Sequence, residues 1–96
     1  MKMKKSDDVL IEILSARGSQ YGTFADNSAI SQALKQVMRS APGWVGLASD
    51  QKECLEMNAH KISRLLCGNP NNYDSWLDQA GYARLVADRL RKESIK

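Results

Sequence analysis

Apolar positions recur along this chain at the three-and-four spacing of helices, in four successive stretches. In the first, Ser6 offers a capping hydroxyl and Asp7 and Asp8 put acids in the first turn. Val9, Leu10, Ile13 and Leu14 follow at helical spacing, and Gly18 is the natural stop. Residues 18–25 hold two glycines and read as a structured loop. Asp26 is placed to cap a second helix with the stripe Ile30, Ala33, Leu34, Val37 and Met38. Ser40-Ala-Pro-Gly43 ends it, and Trp44, Val45 and Leu47 are expected to plug the core from a connecting loop.

Ser49 caps a third predicted helix that runs to about Cys67, with Gly68 as terminator and Pro70 just beyond. A fourth starts near Tyr73 or Asp74 and runs to about Lys92. Leu55, Ala59, Ile62 and Leu66 line one face of the third helix; Trp76, Ala80, Ala83, Ala87 and Leu90 do the same on the fourth. The short connection makes these two antiparallel neighbours. The expected fold is all-α, a compact bundle of about four helices with a C-terminal antiparallel helical hairpin. Residues 1–5 form a flexible basic tail, 6–92 a single domain and 93–96 a C-terminal tail.

Composition narrows the picture. At 96 residues the core is small, so burying a further face in a homodimer is a natural solution. The net charge of +3 comes from Lys2, Lys4 and Lys5 at one end and from Arg84, Arg89, Arg91, Lys92 and Lys96 at the other. Basic residues late in a helix complement its dipole, and none of the six aromatics sits in a basic run, so nucleic acid is not the expected partner. Cys54 and Cys67 fall about 20 Å apart along one helix, too far to bridge. With no CxxC and a single histidine, a structural zinc site is not expected. The N-terminus shows no apolar run of signal-peptide length and no segment suits a bilayer span, so the expected location is the cytoplasm, with reduced thiols and no membrane partner.

The candidate chemistry lies in the hairpin and in the first loop. Glu53, Glu56 and His60 fall on one edge of the third helix, extended by Arg64, with Glu56 and His60 as i, i+4 neighbours. Asp74 and Asp78 sit one turn apart on the fourth. The ExxE pair with these aspartates resembles the Mg²⁺ site of all-α nucleotide pyrophosphohydrolases of the MazG type. That resemblance implies catalytic and metal-binding roles for Glu53, Glu56, Asp74 and Asp78, although the second helix reads DxxxD where that pattern has ExxD. Hairpin geometry favours another arrangement. Asp78 lies level with about residue 62, roughly 9 Å along the axis from Glu56, so Lys61 and Arg64 answer Asp74 and Asp78 as ion pairs and Asp74 doubles as an N-cap. His60 is expected to partner Glu56. In the loop, Arg17 suits a phosphate and Tyr21 a base, the alternative being Arg17 on Asp78 with Tyr21 and Phe24 on the core. Gly81, inside a helix, implies close helix packing or a ligand near the backbone.

Across Arg17 to Leu90 the chain also resembles a family of small phage and prophage proteins of unassigned function. The pattern R-G-x-x-Y-G falls on Arg17, Gly18, Tyr21 and Gly22, and E-x-x-x-M-x-x-H-K-I-x-R on Glu53, Met57, His60, Lys61, Ile62 and Arg64. D-S-W-x-D-x-A-G-Y-A falls on Asp74, Ser75, Trp76, Asp78, Ala80, Gly81, Tyr82 and Ala83. Asn58 and Gln79 stand where aliphatic residues would be expected. A more distant likeness is to domains associated with phage nucleotide modification. The resemblance implies phage origin, an all-helical fold and a link to phage–host biochemistry. The resulting expectation is an accessory protein that binds a host protein or a nucleotide-type ligand, as anti-defence proteins do, through Arg17, Tyr21, Lys61, Arg64, Asp74 and Asp78. On this reading it needs no cofactor; the alternative is the Mg²⁺-dependent pyrophosphohydrolase.

Overall fold

A computed structural model describes residues 5–95, with side chains from residue 7 onward. Four helices follow in order: α1 (Lys5–Tyr21), α2 (Phe24–Ser40), α3 (Ser49–Cys67) and α4 (Tyr73–Ser94), with a short 3-10 turn at Trp44–Gly46 and no strand among the described residues. The expected all-α architecture of four helices is what forms. α3 and α4 share the most extensive contact, followed by α2 and α3.

The helix boundaries differ from the sequence pattern where a local cap outcompeted the expected one. α1 does not stop at Gly18 but continues to Tyr21, and the break falls at Gly22, whose φ of +79° only glycine adopts readily. Lys5 is already helical, so Ser6 stands inside the helix; the rest of the basic tail lies outside the described residues. Thr23, not Asp26, caps α2: its hydroxyl accepts from the Asp26 amide at 3.2 Å. The α3 N-cap is Ala48, with Ser49 the first helical residue, and the Gln51 side chain returns to accept the Ala48 amide at 2.8 Å. Asn72, not Asp74, caps α4 by accepting the Ser75 amide at 3.0 Å, and α4 continues through Glu93 and Ser94.

Two ion pairs set the hairpin register. Lys61 Nζ lies 2.9 Å from Asp78 Oδ2, and Arg89 holds Asp50 with two hydrogen bonds, Nε to Oδ2 at 2.5 Å and Nη2 to Oδ1 at 2.8 Å. Both pairs are equidistant from a point between Asn69 and Pro70, so α3 and α4 run antiparallel over most of their length. At the turn, the chain passes close to the α1–α2 joint. The Asn69 amide donates to the Gln20 carbonyl at 2.6 Å, and the Gln20 side chain accepts from Asn69 and Asn72. Gly68 has no unusual φ; it is glycine because a Cβ there would land on the backbone of Gln20 and Tyr21.

The buried interior is small and largely polar. Among the described residues Ala59 and Leu65 are the buried apolar ones, beside Asn27, Ser31, Ser63 and Ser75. Ser63 donates to Asn27 Oδ1 at 2.5 Å, and Asn27 Nδ2 donates to the Tyr21 carbonyl at 3.4 Å, so the Asn27 and Ser63 side chains are both satisfied. The apolar stripes read from the sequence mostly face outward. Val37, Leu66 and Trp76 are exposed, as are Ile30, Leu55, Ile62 and Leu90. The α4 face against α3 carries Ser75, Gln79, Tyr82, Val86 and Arg89 instead. Val45 is 84% exposed and Trp44 and Leu47 only half-buried, so the expected core plug does not form.

Candidate functional site

One cleft of about 720 Å³ opens between α1, α2 and the C-terminal half of α3. Each helix contributes from a single face. α1 presents Leu14, Arg17, Gly18 and Tyr21 at i, i+3, i+4 and i+7; α2 presents Asn27, Ser31 and Lys35 at i, i+4 and i+8; α3 presents His60 and Arg64 one turn apart. The lining therefore holds Arg17, Lys35 and Arg64 with His60, and no acidic side chain among the described residues. Its volume is that of a small-molecule site.

Two features mark Arg64. Its guanidinium lies over the Tyr21 ring, 4.4 Å from the centroid, and its Nε is buried without a hydrogen-bond partner among the described residues. A buried donor left open is costly unless something accepts from it. His60 reports the field in the cleft: burial first, then the charges of Arg64, Lys35 and Lys61, push its pKa below the usual histidine value. Phe24, at the mouth, is 87% exposed, so it does not fold onto the core as one sequence reading had it.

The expected recognition set is thus divided. Arg17, Tyr21 and Arg64 meet in the cleft; Lys61 and Asp78 close on each other between α3 and α4; Asp74 stands exposed in the first turn of α4. Neither Arg17 nor Arg64 forms an ion pair with Asp78 or Asp74 among the described residues. Glu56 is not the partner of His60: it pairs across to Arg39 of α2, which donates through Nε at 2.7 Å and Nη2. Glu53 is exposed, and among the described residues no three His, Cys, Asp or Glu side chains converge. The four carboxylates of the magnesium alternative are thus kept apart, two of them held by cations. Gly81 is exposed with nothing within 4 Å of a Cβ built on it, so close packing inside the chain does not explain it.

Lys35 and His60 as cleft residues, with Phe24 at the rim, were not legible as ligand groups in the sequence. The available signal was the polar face Asn27–Ser31–Lys35 opposite the α2 apolar stripe, which ordinarily means solvent. No described helix is long and apolar enough to cross a membrane.

Compared with known families, residues 7–90 match the model of a domain of unknown function, DUF6378. No curated protein and no solved structure matches the chain.

Proposed function

The chain belongs to the DUF6378 family, a domain of unknown function, and from its cleft we propose that it binds a phosphorylated, nucleotide-type small molecule. The observation that carries this reading is the gathering of Arg17, Lys35, Arg64 and His60 around one concavity with no acid to neutralise them. Guanidinium groups are suited to bidentate phosphate recognition, and Arg17 and Arg64 both line the cleft. The exposed Phe24 ring at the rim offers a face for a base, while Tyr21 holds Arg64 in place through its own ring. The reading is of binding rather than turnover. It fits the accessory role implied by the phage resemblance, in which a small protein captures a host nucleotide or signal.

Isothermal titration with nucleoside mono-, di- and triphosphates, beside inorganic phosphate, tests it. A member of the panel binds, and Arg64→Ala weakens it about tenfold or more, the size of one lost charge-assisted hydrogen bond. Phe24→Ala weakens the nucleotide and leaves inorganic phosphate unaffected. Absence of binding to the whole panel at millimolar concentration refutes the proposal. Product release in the presence of Mg²⁺, abolished by Asp78→Asn, replaces it with the pyrophosphohydrolase reading.

A further inference from the structure

The cleft has two chemically different ends, and helix register fixes their order. Asn27 of α2 accepts the Ser63 hydroxyl of α3, and further along α2 Arg39 pairs with Glu56. The residue numbers run in opposite senses, so α2 and α3 lie antiparallel where they flank the cleft. Phe24 and Asn27 therefore stand at the Gly22 joint, the end at which Arg64 lies over Tyr21. Lys35 stands about three turns beyond Phe24 on the same face of α2, about 16 Å along the axis. On α3 the same direction leads from Arg64 back one turn to His60. Lys35 does reach that ring: after burial and Arg64, its charge is among the causes that lower the His60 pKa.

Three cations of the lining, one from each helix, are left without an acid. Arg17, Lys35 and Arg64 form no ion pair among the described residues, and Glu56, the carboxylate one turn from His60, is held by Arg39. A single phosphate brings at most about two negative charges, which leaves one of the three unanswered.

We propose that Lys35 and His60 form a subsite for terminal phosphates, so that the ligand is a nucleoside di- or triphosphate rather than a monophosphate, a step that rests on the nucleotide-type reading above. With the base on Phe24, the phosphate next to the sugar falls at the Arg64 end, and each further phosphate extends toward Lys35. The Lys35 ammonium supplies a point charge for the terminal group and His60 a ring N–H.

Isothermal titration of the full chain with adenosine and guanosine mono-, di- and triphosphates, in EDTA so that no metal masks the phosphates, tests the subsite. Wild type binds a triphosphate at least about tenfold tighter than the monophosphate of the same base, the size of one further charge-assisted hydrogen bond. Lys35→Met loses most of that ratio and His60→Gln loses part of it, whereas Arg64→Ala weakens both ligands and keeps the ratio. If Lys35→Met does not fold, Lys35→Gln carries the same comparison. Equal affinity of wild type for mono- and triphosphate, or a ratio that survives removal of the Lys35 charge, overturns the subsite while the nucleotide reading stands. No binding of any member of the series removes both.

Discussion

His60 is the single histidine of the chain, and burial first, then the charges of Arg64, Lys35 and Lys61, lower its pKa. Its lowered pKa means that the folded state prefers the neutral imidazole, whereas the unfolded chain takes up its proton near pH 6.5. Stability is therefore complete above that value and declines as pH falls through it toward the lower folded value. An anion in the cleft reverses the effect of Arg64 and Lys35 on the ring. The His60 resonance, followed by NMR against pH, should titrate below the free-histidine value in the protein alone and move upward when a phosphate-bearing ligand is added. A pKa that ignores the ligand would place binding elsewhere. Gly22 and Gly68 belong to the same scale. One supplies a positive φ and the other a missing side chain, and together they let the α1–α2 joint touch the end of α3. Gly18 and Gly22 both announce a break after α1, and Gly22 forms it where the joint meets Cys67.

At the scale of elements, helix ends were set by competition among several adequate caps. Asn72 won at α4 because its side chain serves twice, accepting the Ser75 amide and donating to Gln20 at 3.2 Å. Asn72→Ala should cost about 1 kcal/mol in chemical denaturation, the usual worth of an N-cap. Asn72→Ser should recover most of that loss, since serine caps but does not reach as far; failure to recover would assign the effect to the link with α1. The far end of the hairpin rests on Arg89, whose hydrogen bonds hold the Asp50 carboxyl below its ordinary range. That contribution is present at neutral pH and lost as acid protonates Asp50. Hydrogen exchange on Asp50→Asn should show faster amide exchange in the first turn of α3 and the last turns of α4, with the Asn69–Asn72 turn unchanged.

The whole molecule is elongated, 64 × 26 × 24 Å with a radius of gyration of 17.3 Å, where a compact domain of this length has about 12–13 Å. α1 leaves the bundle with Val9, Leu10, Ile11, Ile13 and Leu14 all about half exposed. Among the described residues Ala59 and Leu65 are the buried apolar ones, and the rest of the apolar contact is partly exposed.

From the sequence alone came the four helices, the Gly-Asn-Pro hairpin and the Lys61–Asp78 register, because helical periodicity, breakers and a short connection are local properties that need no partner to be read. It also brought Arg17, Tyr21 and Arg64 forward as binding groups, but not the cleft they form with Lys35 and His60, which come from other helices. Which apolar stripe turns inward was decided only in three dimensions. α2 and α3 meet through Asn27 and Ser63, joined by a hydrogen bond, while most of the expected stripes lie outward. A hydrophobic stripe records that a face wants cover; only the packed chain shows whether its own helices supply it.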